Sequence, residues 1–130
     1  YSGVISIFAE RMLAGAAPTV FGDGGQSRDF VYVDNVVEAN MRACTTPGIA
    51  GRVYNIGCGR SASLLELVAA LNRVLGTAIE PEFAPARPGD VRISLADITR
   101  AQRELGYEPL VHFEEGLEQT LAWMRAAGGN

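Results

Sequence analysis

The 130-residue sequence predicts a mixed α and β domain, and three observations carry that expectation. Apolar residues recur at helical spacing in several stretches, short β-branched and aromatic runs stand between them, and glycine or proline punctuates the boundaries. The order reads helix, strand, strand, helix, strand, helix, loop, helix, helix, with no linker to divide it. Residues 1–130 therefore read as one unit, long enough to bury about two-thirds of the unfolded surface.

Ile5, Phe8 and Met12 keep helical spacing and Gly15 can close the last turn, so a helix is expected near 3–14. Pro18 to Phe21 is extended and ends at Gly22; across the glycine turn it is expected to pair with Phe30 to Val33 as a hairpin. Asp34 stands where an N-cap belongs, with Val33, Val36, Val37, Met41 and Cys44 on one apolar face beyond it and Pro47-Gly48 as the stop. Val53 to Ile56 reads as a strand that leaves through Gly57-Cys58-Gly59. Ser63-Leu64-Leu65-Glu66 is a capping box, and the stripe Leu64, Leu67, Val68, Leu71, Leu75 runs to Gly76.

Glu80 to Asp90 is a polar, proline-rich connection, Val91 to Leu95 a short strand, and Asp97 can cap a helix that Gly106 closes. Phe113, Leu117, Thr120, Leu121 and Met124 mark the last helix, which is expected to fray into the final Ala-Ala-Gly-Gly-Asn. Tyr1 is not an initiator Met, and the chain reads as cut from a longer one. The apolar faces of the helices beginning at Asp34 and Ser63, and an edge of the 53–56 strand, are accordingly expected to meet polypeptide outside it.

A net charge of −4 and a pI near 4.9 argue against nucleic acid or an anionic membrane as partner, since both reward a broad basic surface. No stretch approaches the roughly 20 apolar residues of a membrane helix. All eleven basic residues are arginine, which removes any lysine base or Schiff base. Cys44 and Cys58 form no C-x-x-C pattern, so a reducing compartment, the cytoplasm, is expected. With His112 as the one histidine, no metal site is expected.

Two arginines sit where chemistry could be done. Arg28 lies between Ser27 and Asp29 after a glycine loop, and Arg87 lies in the restricted loop Ala-Arg-Pro-Gly-Asp. A guanidinium holds a phosphate through two parallel charged hydrogen bonds, so two loop arginines suit a diphosphate. The plainer alternative is a pair of solvated arginines, or an Arg28–Asp29 surface pair. GDGG at 22–25 and GCG at 57–59 lack the spacing and context of a dinucleotide fingerprint.

The runs FGDGGQSRDFVYVDNVVEAN, VYNIGCGRSASLLELV, ARPGDVRISLADITRAQRELGYEP and FEEGLEQTLAWM, in that order, resemble the C-terminal part of the nucleotide-sugar epimerases and dehydratases, which are extended short-chain dehydrogenases. The resemblance covers essentially the whole chain, and R-P-G-D-V-R-x-S-x-A-D is most similar to the UDP-hexose 4-epimerases. It implies an α/β fold in which residues 1–130 are the small mixed α+β substrate-binding portion. The Rossmann half, with its G-x-x-G-x-x-G, its catalytic Y-x-x-x-K and bound NAD, is absent. None of the tyrosines at 1, 32, 54 and 107 has a lysine four residues on, so no catalytic and no cofactor-binding residue is expected here.

Position by position, the resemblance places Arg28 and Arg87 on the diphosphate of a UDP-sugar, Asn55 nearby, and Asp90 on the ribose hydroxyls. The backbone of Thr19, Val20 and Phe21 would meet the uracil, Val4 would touch the nucleotide from the first helix, and Ser94 would border the hexose. The implied partners are a UDP-sugar and the missing Rossmann half, with the parent enzyme a homodimer. The implied reaction is C4 epimerisation through NAD. A nucleotide-sugar 4,6-dehydratase, a UDP-glucuronate decarboxylase and a non-catalytic nucleotide-sugar-binding module are the alternatives.

Overall fold

The computed structural model describes residues 3–128. Five helices and five very short strands alternate: α1 (Val4–Leu13), β1 (Thr19–Phe21), β2 (Ser27–Arg28), α2 (Val33–Thr45), β3 (Ala62–Ser63), α3 (Leu64–Leu75), β4 (Glu82–Ala84), β5 (Ile93–Ser94), α4 (Thr99–Leu105) and α5 (Phe113–Gly128). The mixed α/β class stands. The last two residues of the expected C-terminal fray lie outside the described residues.

Two apolar clusters hold the fold. In the first, Phe8 and Met12 of α1, Leu67, Val68 and Leu71 of α3, and Leu117 and Leu121 of α5 close around Val20. Phe30 packs against this cluster and stacks on Phe113, ring centroids 5.5 Å apart. In the second, Ala39 of α2 meets Ile98, Ala101 and Leu105 around or within α4, with Tyr107 buried among them. α3 is the most completely specified helix. Ser63 Oγ accepts from the Glu66 amide at 3.1 Å while Glu66 returns a bond to the Ser63 amide at 2.7 Å, and Gly76 closes the far end at φ +69°.

Several strand expectations give way. The expected hairpin does not form: β1 pairs in parallel with β4, Val20 opposite Phe83, and β2 sits between antiparallel β3 and parallel β5. Phe30 is drawn instead into the first cluster, and Val33 already begins α2. Parallel pairing demands a long crossover, so its partner is not announced by the nearby turn. Val53–Ile56 carries no ladder among the described residues, and Val53 is 77% exposed. Five residues were expected for the strand after Asp90; β5 keeps only Ile93 and Ser94.

The helix after Tyr32 differs as well. Tyr32 occupies the N-cap without a side-chain bond, and Asp34 falls inside the first turn, where its charge meets the positive end of the helix dipole. Its apolar stripe faces outward, with Val33 and Met41 each 60% exposed, whereas Asn35 and Ala39 point in. The stripe of α3, expected to meet outside polypeptide, is buried within the chain. Asp97 does not cap α4, whose N-cap is Ile98; it stands one residue earlier and accepts from the Thr99 amide at 3.0 Å, and hydrogen bonding from the Thr99 hydroxyl and then its amide keeps the Asp97 carboxyl below the usual carboxylate range.

Polar side chains tie the segments that the strands are too short to bind. Asn35, 1% exposed, donates to the Val111 carbonyl and accepts from the Leu110 and Val111 amides. Tyr107 donates its hydroxyl to the Gly57 carbonyl at 2.8 Å, and burial pushes that phenol up to about 12. Asp29 accepts from the amides of Cys58 (2.8 Å), Gly59 (3.0 Å) and Ala96 (3.4 Å). Position 57 must be glycine for this approach, because a Cβ there would stand 2.4 Å from Asp29 Oδ2 and 2.9 Å from the Ala96 Cβ.

Asp29→Ala is expected to cost about 2–4 kcal/mol, since up to three amides lose a charged acceptor. Urea unfolding of the variant checks this, and an unchanged midpoint would refute the role given to Asp29. The outward stripe of α2 leads to a second expectation, that the 130-residue chain alone self-associates. Sedimentation showing a dilute, stable monomer would count against it.

Candidate functional site

The strongest candidate is a cleft of ≈ 560 Å³ between α1, the end of β1, β2 and the loop at residues 87–90. Val4 and Phe8 form its helical wall, Thr19 and Phe21 its strand edge, and Gln26 and Leu64 line it from within. Three guanidiniums reach it, from Arg11, Arg28 and Arg87, against the single carboxylate of Asp90. In a chain of net charge −4 this is a local concentration of positive charge.

Arg28 is held from three directions. Nη1 donates to the carbonyls of Ser27 (2.8 Å) and Val91 (2.5 Å), and Nη2 donates to Asp90 Oδ1 at 2.7 Å. The surface pair with Asp29 does not form, because the Asp29 carboxylate is engaged by backbone amides on another side. Arg87 lies flat on Phe21, its Cζ 3.8 Å from the ring centroid, a cation–π contact that leaves the guanidinium edge free to donate. The loop is clasped once more by Arg92 Nη1 on Asp23 Oδ1 at 2.6 Å, and that bond holds the Asp23 carboxyl down to about 2.

Of the residues singled out from the sequence, the cleft brings together Val4, Thr19, Phe21, Arg28, Arg87 and Asp90. Val20 is fully buried in the first cluster, so it can offer a ligand only its backbone. Asn55 and Ser94 lie apart from the cleft, in a second depression of ≈ 430 Å³ shared with Asp29, Tyr54 and Ala96. Arg11 and Gln26 were missed. Val4, Ile7 and Arg11 share one face of α1 by helical spacing, which would have exposed Arg11 once Val4 was placed. Gln26 carried no comparable signal within its glycine turn.

A larger cleft of ≈ 710 Å³ lies beside α3 and the start of α5, where part of the charge is already engaged. Arg73 pairs with Glu114, and Glu66 is spent on the capping box. Burial, and then the Asp29 charge, push the Cys58 thiol up, and it donates to the Phe30 carbonyl; this is a structural cysteine and not a nucleophile. Among the described residues no cluster of His, Cys, Asp or Glu is arranged to hold a metal, and no helix is long and apolar enough to cross a membrane.

Residues 1–57 match the NAD dependent epimerase/dehydratase family. A UDP-glucose 4-epimerase of Mycolicibacterium smegmatis is 44% identical over 124 residues, which are 95% of this chain and 39% of that protein. A dTDP-glucose 4,6-dehydratase of Streptomyces griseus is 39% identical over 121 residues, 92% of this chain and 37% of that one. The crystal structure of the UDP-glucose 4-epimerase of Thermotoga maritima with UDP-glucose superposes with a TM-score of 0.90 at 44% identity, covering 97% of this chain and 40% of the other. The chain thus spans about two-fifths of the length of the relatives it matches. With the fold shared at that level and the arginine-lined cleft assembled from the motifs S-R-D-F and R-P-G-D, this chain is similar over nearly its whole length to a part of the NAD-dependent epimerases and dehydratases.

Proposed function

We propose that residues 1–130 are the UDP-sugar-binding portion of a longer UDP-hexose 4-epimerase. The observation that carries the reading is that Arg28 and Arg87, remote in sequence, line one cleft together with Asp90. Arg28 has five N–H donors and spends three on Ser27, Val91 and Asp90, so Nε–H and one Nη2–H remain for a phosphate oxygen. Arg87, stacked on Phe21, directs its edge donors to the second phosphate. Asp90 accepts from the ribose, the backbone of Thr19–Phe21 meets the uracil, and Val4 closes the nucleotide from α1. Asn55 and Ser94 line the depression into which the hexose extends.

In such an enzyme bound NAD takes a hydride from C4 and returns it to the opposite face of the sugar. We assign NAD, the proton-transferring tyrosine and the dimer contacts to the remainder of the longer polypeptide, because this chain has no lysine and neither glycine cluster is a dinucleotide fingerprint. The two free cysteines fit a reducing cytoplasm. The 39% identity to a dTDP-glucose 4,6-dehydratase favours a second reading, elimination of water after the same oxidation at C4. Interconversion of UDP-glucose and UDP-galactose by the full-length protein supports epimerisation, whereas formation of a 4-keto-6-deoxy sugar supports the dehydratase.

In the full-length protein Arg28→Ala and Arg87→Ala are each expected to weaken UDP binding by about 1.5–3 kcal/mol, with lysine restoring only part because it keeps the charge and loses the fork. Calorimetric titration reads the change; unchanged affinity in both alanine variants would return the two residues to ordinary surface arginines. Ser94 is small and lies in the second depression, so room remains for an N-acetyl group at C2. Ser94→Tyr is expected to depress turnover of UDP-N-acetylglucosamine while largely sparing UDP-glucose, since overpacking costs about 1–3 kcal/mol. An equal effect on both sugars would show that Ser94 does not set this choice.

A further inference from the structure

Gln26 ends the glycine turn before β2 and lines the cleft while only 6% exposed. Its Nε2 donates to the Phe21 carbonyl at 2.7 Å and to Asp90 Oδ2 at 3.3 Å. A backbone carbonyl and a carboxylate both accept, so the nitrogen must face them and the amide cannot be turned over. Its oxygen is thereby fixed on the other side of the same carbon. Among the described residues no donor reaches Oε1, and no side-chain oxygen lacking a partner is sealed from solvent, so Oε1 opens onto the cleft.

We propose that Gln26 reads the sugar of the nucleotide, its Oε1 accepting a hydrogen bond from the ribose 2′-hydroxyl, so that the cleft selects ribonucleoside over 2′-deoxyribonucleoside diphosphates. This rests on the nucleotide reading of the cleft given above. One amide bridges the Phe21 carbonyl, in the segment assigned to the base, and the Asp90 carboxylate, assigned to the ribose. Its oxygen, one carbon away from that bridge, would meet the sugar beside the base, where the 2′-hydroxyl is the nearest sugar donor. A phosphate oxygen cannot use this position, because it only accepts. The cleft thus divides its labour: Arg28 and Arg87 supply donors to the anion, and Asp90 and Gln26 supply acceptors to the hydroxyls. A pre-oriented acceptor that the bound nucleotide covers discriminates well, since a ligand lacking the hydroxyl leaves it unpaired.

The test is calorimetric titration of UDP, 2′-deoxy-UDP and 2′-fluoro-2′-deoxy-UDP into the full-length protein and its Gln26→Met variant. Native protein is expected to bind UDP about tenfold more tightly than either analogue, since fluorine keeps a polar atom at the 2′ position and has no proton to donate. In Gln26→Met the preference is expected to fall to about twofold or less, with UDP losing affinity and 2′-deoxy-UDP losing little. A purely structural role for Gln26 would weaken all three ligands alike and leave their ratio unchanged. An unchanged ratio in the variant, or native protein that binds the fluoro analogue as tightly as UDP, overturns the proposal while leaving the nucleotide reading intact. If Gln26→Met does not fold, Gln26→Leu carries the same ratio test, and the fluoro comparison can still overturn the proposal on its own. Failure of native protein to bind UDP at all removes both readings together.

Discussion

The carboxylate of Asp29 is the constraint on which the arrangement around β2 depends. The strands of this chain are two or three residues long, so their ladders contribute few hydrogen bonds. A half-buried carboxylate accepting from two separate segments, 57–59 and 95–97, does what a longer sheet does elsewhere: it fixes β2 against both neighbouring loops at one point. Because Arg28 is the adjoining residue, fixing Asp29 also fixes the backbone from which that guanidinium reaches the opposite cleft. Structure and binding are served by consecutive side chains with opposite directions, as an extended backbone requires.

Helices were legible in the sequence where one face is buried within the chain. α3 has a capping box, an unbroken apolar stripe and a glycine stop, each of which acts locally. Strand partners were not legible: β1 and β4 are separated by sixty residues of crossover, and a glycine turn after β1 suggested the nearer partner. Asp34 misled for a related reason: Tyr32 takes the N-cap of α2 without a side-chain bond, so no capping residue announces where the helix begins. Within the cleft, Arg28 and Arg87 could be singled out because a loop arginine beside a glycine or proline turn is the residue type expected of an anion site. Gln26 could not, since its significance arises from Phe21 and Asp90, which only the tertiary fold brings to it.

A chain of net charge −4 that gathers three guanidiniums at one cleft concentrates its positive charge, and this one does so without lysine. Arginine is suited to that task, since its planar group stacks on Phe21 and still donates at its edge, and its fork engages a carbonyl and a carboxylate together. Asp90 then has two duties, holding Arg28 in place and presenting an acceptor to the cleft. Surface counterparts such as Arg92–Asp23 clasp the same loop at a position more open to water, where an ion pair contributes little on its own.

The parallel pairing of β1 with β4 also bears on how the domain is assembled. One lip of the cleft comes from residues 19–28 and the other from 87–90, with α2 and α3 between them in the chain. Closing so long a loop precedes any reward from its contacts, so the cleft belongs to the late, high-contact-order stage of folding, after the local helices have formed. A ligand that touches both lips acts as a clasp across that loop closure. Its binding free energy therefore adds directly to the stability of the last pairing to form, and occupancy and completion of the fold become one linked equilibrium.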